Sequence, residues 1–228
     1  MKKNIYQNMY NDQKNSGNLD KSPRIKVMLS IVDQMKLENK NVLDIGCYDG
    51  TFLSLIKNRS NNFFGLEASD WGVGKSRKKG IRAEQYFFDD EMKLPFLDNF
   101  FDVIVAGDVI EHIYDTDFFL EEIRRVLKPG GKLLLSTPKV ASLGRRLMLF
   151  FGVNPIIELS PSEPESCGHI RYFTFKSLKS LLKKHQFRII TSRSDCVNFS
   201  KEGKIRSAFL AKIFLTLGAG IILLAAKE

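Results

Sequence analysis

Four residues stand where their types and spacing would do chemistry beside a small ligand: Asp44, Glu67, His112 and His169. Asp44 lies in VLDIGCYDG (42–50), an apolar run that feeds directly into a turn bracketed by Gly46 and Gly50. Glycine allows backbone conformations and close approaches that side chains forbid, and the helix start after such a turn offers unpaired N–H groups. Phosphate, pyrophosphate or carboxylate would suit that turn, and so would no ligand, since the bare pattern also makes a simple tight turn. Glu67 narrows the choice. It ends the next apolar run, NFFGLE, 21 residues after Gly46, where an acidic side chain hydrogen-bonds a ribose. A nucleoside-containing ligand follows. A dinucleotide fingerprint needs G-x-G-x-x-G, but Tyr48 occupies the second position and no phosphate-loop lysine comes after. His112 in VIEH and His169 in GHIRYF are the candidate general bases for a hydroxyl acceptor, and either would also serve as a packed or turn-capping ring.

The elements that must position these residues read as alternating strands and helices. Ser22-Pro23 before RIKVMLSIVDQM supplies an N-cap, a proline in the first turn and helical apolar spacing. NVLDIG is a strand, residues 51–57 a helix, 62–67 a strand, 70–79 a weak glycine-containing helix and 83–88 a strand. FDVIVAG (101–107) is a continuous apolar run and reads as a buried strand. Residues 116–127 form a periodic helix stopped by Pro129-Gly130-Gly131, and 132–137 a fifth strand. This rhythm predicts βαβ crossovers and a mainly parallel sheet. It breaks at residues 139–170, where the amphipathic ASLGRRLMLFFG leads into NPIIELSPSEPESCGH. An insertion after a core strand predicts a lid or substrate wall, because open α/β sheets bind ligands at that end. A helix over 174–185 and strands in FRIITS and GIILLAA complete the pattern. The expected organisation is a flexible arm at 1–21 and one domain over 22–228.

Bulk composition excludes several classes. The chain of 228 residues is 43% hydrophobic and 27% charged, which suits an ordinary globular domain. Cys47, Cys167 and Cys196 are far apart, so neither a disulfide framework nor a structural metal is expected, and a reducing, cytoplasmic setting follows. The net charge of +9 comes from scattered pairs such as Arg124-Arg125 and Lys183-Lys184, a pattern that argues against a nucleic-acid groove. Residues 209–226 approach a membrane span in length. Gly218 and Gly220 divide them into helix-sized and strand-sized pieces, so no transmembrane segment is expected and peripheral membrane contact stays open. Monomer and homodimer are both compatible with the sequence.

VLDIGCYDG, GLEAS, DDEMKLPF, FDVIVAGDVIEH and RRVLKPGGKLLLSTP, in that order over about residues 40–138, resemble the class I S-adenosylmethionine-dependent methyltransferases. The likeness is strongest to the subgroup that modifies small molecules such as quinones, lipids or sugars, and GHIRYFTFKSLKSLLKKHQF extends it. The resemblance implies a Rossmann-like α/β fold: a three-layer sandwich with a seven-stranded, mostly parallel sheet, helices on both faces and the last strand antiparallel. It also implies S-adenosyl-L-methionine as cofactor and S-adenosyl-L-homocysteine as product. By position, Asp44 and the backbone of Gly46, Cys47, Tyr48 and Gly50 would hold the methionine end, and Glu67 the ribose hydroxyls. Ala68 would sit against the adenine, Asp90 or its rival Asp89 would bind the adenine amino group, and Gly107, Asp108 and Val109 would pass beside the sulfonium.

Methyl transfer needs alignment and desolvation but no nucleophilic triad or metal. The expected activity is therefore methylation, on oxygen, of a small-molecule or lipid-like acceptor. An RNA or protein methyltransferase, or a non-catalytic cofactor-binding scaffold, are the alternatives. Arg171 and Tyr172 are candidates to position the substrate or to dock the last helix. The apolar face of Leu143, Leu147, Met148, Phe150 and Phe151, flanked by Arg145 and Arg146, would suit an acidic amphiphile. The Tyr48 ring is expected to pack near the methionine end of the ligand or under the N-terminal arm.

Overall fold

Strand periodicity sends alternate residues of each apolar run to opposite faces, and both faces of this sheet are covered. Val42, Val103, Val105 and Leu134 pack with Ile25, Met28, Leu53 and Val73 on one side. Leu43, Ile45, Ile104 and Leu135 pack with Phe119, Leu120, Ile123 and Leu182 on the other. The result is the expected three-layer sandwich. The computed structural model describes residues 21–57, 60–87, 93–155, 168–199 and 205–228. Residues 1–20 of the expected arm, residues 156–167 of the insertion, Asp89, Asp90 and Cys167 lie outside the described residues.

The strands are β1 (Asn41–Ile45), β2 (Asn62–Glu67), β3 (Arg82–Gln85), β4 (Phe101–Gly107), β5 (Leu127–Pro138), β6 (Phe187–Arg193) and β7 (Gly220–Lys227). Their order across the sheet is β3-β2-β1-β4-β5-β7-β6. The first five run parallel, while β7 is antiparallel to both β5 and β6. The order reverses at β1, which lies between β2 and β4. A crevice therefore opens at the carboxyl ends of those three strands. The helices are α1 (Pro23–Met35), α2 (Thr51–Ile56), α3 (Asp70–Lys78), α4 (Thr116–Val126), α5 (Leu143–Phe150), α6 (Phe175–Lys184) and α7 (Ala208–Ile213). Two residues at Val197–Asn198 pair with Arg206–Ser207 as a separate ladder.

Local chemistry explains the boundaries. Asp115 caps α4 by accepting the Phe118 N–H at 2.9 Å, and Thr174 opens α6 with a reciprocal capping box to Ser177. Ser22 makes no side-chain cap; its carbonyl accepts the Lys26 N–H instead. Two expected boundaries shift. β3 stops at Gln85 rather than residue 88, because its partner β2 ends at Glu67, whose carbonyl accepts the Tyr86 N–H as the last bond of the ladder. β5 begins at Leu127, so Pro129-Gly130-Gly131 lies inside a strand instead of before it. The pairing steps from Phe101↔Leu127 to Val103↔Lys132, and Gly130, at φ +72°, absorbs the extra residues. A histidine near a helix end reads from the sequence as a surface residue favourable to the helix dipole, but His185 is buried at the end of α6 with Nε2 2.6 Å from Asp117 Oδ1.

One side chain ties down the segment that leads into β4. Arg125 of α4 donates to both Glu122 oxygens, to Asp98 and to the carbonyls of Leu94 and Phe96. It thereby anchors the segment that follows Asp89 and Asp90. Replacing Arg125 by Met leaves Glu122, which is 5% exposed, without its counter-charge. The expected loss is roughly 2–4 kcal/mol, read as a lower urea midpoint at unchanged slope.

Candidate active site

A cavity of about 330 Å³ fills the crevice, within the usual size range for small-ligand sites. Its floor is the turn after β1. Gly46 and Gly50 have φ of +72° and +75°, and both positions exclude a side chain. A Cβ on Gly46 would lie 2.5 Å from Val109 Cγ2, and one on Gly50 would lie 2.6 Å from Ile81 Cδ1. Tyr48 also has a positive φ, +50°, although it is not glycine. Three contacts hold it there. Its N–H donates to Glu67 Oε2 at 2.9 Å, its carbonyl accepts from Ser76 Oγ at 3.0 Å, and its ring packs on Trp71 with centroids 5.2 Å apart.

Backbone donors in this turn are already engaged. The N–H groups of Gly46 and Cys47 donate to the Leu66 carbonyl, that of Tyr48 to Glu67, and that of Gly50 to the Cys47 carbonyl. The turn thus brings Gly46, Cys47 and Tyr48 to the cavity wall as shape, with those N–H groups spent on the protein itself. Asp49 accepts the Thr51 N–H at 3.0 Å and pairs with Lys79, so it secures the start of α2.

Charge at the floor comes from Asp44 and Glu67. Burial, then the neighbouring Glu67 charge, push the Asp44 carboxyl up to about 8, against an opposing pull from Arg24. Burial also raises Glu67, opposed by the N–H groups of Ser69 and Tyr48 that its carboxylate accepts. Arg24 of α1 faces them across the cavity and forms an ion pair with Asp108. No sequence motif marks Arg24. Asp108, at φ +55°, follows β4 and accepts from Ser136 Oγ at 2.9 Å. Ala68, Gly107, Asp108 and Val109 all line the cavity, as does Phe87 where the chain turns in after β3.

His112 and Ile113 close the far wall. His112 sits in a single 3-10 turn, Ile110–His112, and its Nδ1 lies 3.1 Å from the Gly168 carbonyl. With Nδ1 as donor, Nε2 carries the basic lone pair. The His169 ring lies 4.9 Å from that of His112 but does not reach the cavity wall. Glu111, between them, was not a candidate from sequence. It is 1% exposed, accepts from Thr137 Oγ1 at 3.0 Å and stands 4.0 Å from His169 Nε2. Burial and the Asp108 charge push its carboxyl up to about 8. Its carbonyl accepts the N–H groups of Ile170 and Arg171, which docks the segment after the insertion. Glu111, His112 and His169 each offer a ligand-type atom, all within 4.8 Å of one another, a donor set that a divalent cation would span.

The substrate candidates sit elsewhere. Arg171 donates to the Tyr114 carbonyl and, at 3.5 Å, to that of Ile113; Tyr172 Oη donates to the His169 carbonyl at 3.4 Å. Neither is on the cavity wall among the described residues. The same holds for Leu147, Phe150 and Phe151 of the expected apolar wall, which are exposed.

Comparison with known proteins agrees with this architecture. The family described as "Methyltransferase domain" matches residues 22–192. A ubiquinone biosynthesis O-methyltransferase of Sinorhizobium medicae is 28% identical over 122 residues, 52% of this chain and 49% of that protein. A fatty-acid O-methyltransferase of Mycolicibacterium smegmatis is 32% identical over 114 residues, 48% of this chain and 41% of that protein. The chain spans about half or less of the length of these curated relatives. In fold, it is similar to an S-adenosylmethionine-dependent methyltransferase structure from Thermotoga maritima, with TM-score 0.66, 19% identity and 99% of both chains covered.

The raised Asp44 carboxyl would make binding of a cationic amino group there pH-dependent. If Asp44 takes that amino group, the ligand must displace the Asp44 proton below about 8, so affinity for S-adenosylmethionine should climb as pH rises toward 8 and fall again where the ligand's own ammonium loses its proton. Calorimetry at pH 7 in buffers of different ionisation enthalpy should show up to one proton released, and Asp44→Asn should abolish the release. In the ligand-free protein the sign is opposite. The native state keeps protons that the unfolded chain gives up, so stability should fall as pH rises from the ordinary carboxylate range toward 8.

Proposed function

The chain belongs to the methyltransferase-domain family, and on that footing we propose that it methylates an oxygen of a small or lipid-like acceptor, using S-adenosyl-L-methionine. The observation that carries this reading is the acid-floored cavity at the carboxyl ends of β1, β2 and β4, where Asp44 and Glu67 stand opposite Arg24. These residues fit the cofactor. Asp44 would take the amino group, Arg24 the carboxylate and Glu67 the ribose hydroxyls through the lone pairs that Tyr48 and Ser69 leave open. Ala68 and Phe87 would flank the adenine, and Asp89 or Asp90 would meet its amino group. Gly107, Asp108 and Val109 would border the sulfonium. When bound, the cofactor supplies an electrophilic methyl group on a positively charged sulfur.

The rest is the work of this chain's residues. The cavity walls align acceptor and methyl in line and exclude water. His112, on the cavity wall with Nδ1 against the Gly168 carbonyl, would accept the acceptor's hydroxyl proton at Nε2. Glu111, held by Thr137, and the His169 ring lie beside it. The two cited relatives are named as O-methyltransferases, one of ubiquinone biosynthesis and one of fatty acids, and this supports oxygen as the methylated atom and an apolar acceptor.

Isothermal calorimetry should give micromolar S-adenosylmethionine affinity, on the order of −8 kcal/mol. Glu67→Ala and Arg24→Ala should each weaken it, and unchanged binding in either variant would sink that residue's assignment. His112→Ala should lower kcat by roughly 10²–10⁴-fold while cofactor affinity stays within about threefold. The acceptor itself is found by product mass after incubating a cell extract with isotope-labelled cofactor.

A further inference from the structure

Exposed apolar side chains are not spread evenly over this protein. Of the 15 large hydrophobic residues exposed among the described residues, ten fall within 147–153 and 199–214. On α5 and the turn after it these are Leu147, Leu149, Phe150, Phe151 and Val153, with Phe150 at 82% and Phe151 at 73% exposure. Around α7 they include Phe209 at 70%, Ile213 and Phe214. No residue of α5 is buried, so this helix does not use its apolar side chains to build the core.

The two segments form one surface. Both α5 and α7 pack against the short Val197–Asn198 pairing, and Arg146 donates to the Thr216 carbonyl at 3.1 Å. Lys139, at the start of the insertion, donates to the Leu215 carbonyl at 3.1 Å and ties the two from below. The surface also faces a defined direction. Pro138 at the end of β5 pairs with Gly220 at the start of β7, and Gly107 pairs with Ser136. The apolar surface therefore lies on the same edge of the sheet as the cavity, over β5 and β7 rather than over β1.

Its charge selects the occupant. Residues 141–155 and 205–219 contain Arg145, Arg146, Arg206 and Lys212 and no acidic residue. A second copy docked about a two-fold axis would set these cations against themselves. A purely apolar partner would leave them unpaired. An anionic lipid surface satisfies both halves: the rings enter the acyl boundary while the cations meet headgroup phosphates. We propose that the surface made by α5 and α7 docks this protein on an anionic membrane, with the mouth of the cavity turned toward the lipid. Docking needs this surface alone. That the methyl acceptor is then taken from the bilayer rests on the reaction proposed above.

The full chain is mixed with vesicles of phosphatidylglycerol and phosphatidylcholine, in a ratio of about three to seven, and with phosphatidylcholine alone, then separated by flotation. The protein should float with the anionic vesicles, and added salt should release it in part. A Phe150→Ser, Phe151→Ser variant should lose about tenfold or more of that binding, and Arg145→Gln with Lys212→Gln should lose its salt dependence. Calorimetric affinity for S-adenosylmethionine should not change in either variant, which shows that both are folded and separates this test from that of the cofactor site. No flotation, equal flotation with neutral vesicles, or full binding by the phenylalanine variant would overturn the proposal. So would a native dimer that dissociates on the Phe150 and Phe151 substitutions, since the surface would then join two copies.

Discussion

A single carboxylate holds the two ligand-facing turns in register. Glu67 accepts the Tyr48 N–H from the turn after β1 with one oxygen and the Ser69 N–H from the turn after β2 with the other. Neither turn can shift without leaving a buried acceptor or donor unsatisfied, a penalty of roughly 1–3 kcal/mol for each. The strained backbone at Tyr48 depends on this brace, and so does the start of α3, since Ser69 is its N-cap. The residue assigned to the ribose is thus also the one that shapes the floor on which the rest of the ligand would lie.

The brace belongs to a dry cluster of carboxyls that hold their protons more tightly than they would in water. Asp44, Glu67 and Glu111 are all buried, all raised in pKa by that burial, and all at or beside the crevice. In the proposed reaction a cofactor bearing an ammonium and a sulfonium would gain from such a site, and the thioether left after transfer would carry less positive charge. Release of that product would then be favoured by the same electrostatics that favour entry of the cofactor. Arg24 offsets the imbalance in the ligand-free protein by pairing with Asp108.

Much of this was legible in the sequence because it is local. Continuous apolar runs fixed β1, β2 and β4 nearly to the residue. The glycines of VLDIGCYDG reported a backbone conformation and a lack of room, which are properties of the turn itself. What escaped depends on contacts between distant segments. Arg24 acquires its role only when α1 is laid over β4, and Glu111 only when residues 168–171 return to the 3-10 turn. Tyr48 hid its left-handed backbone because the contacts that tolerate it come from Glu67, Trp71 and Ser76. His185 read as a surface residue at a helix end, yet Asp117, 68 positions earlier, covers it. The apolar face of α5 was visible as a pattern, but its place, on the cavity's edge of the sheet yet off the cavity wall, was set by the pairing of β5 with β7.

The antiparallel strand carries a consequence for synthesis. β7 follows every other strand described and lies between β5 and β6, so β6 joins the sheet only through it. Until residues 220–227 leave the ribosome, β5 is an open edge displaying Leu133, Leu134 and Leu135, and β6 has nothing to pair with. The chain must keep that edge from wrong partners for the time needed to translate some eighty further residues, roughly several seconds at ordinary rates. Vectorial emergence and sheet order run against each other here, so the nascent chain is a natural client for a holding chaperone.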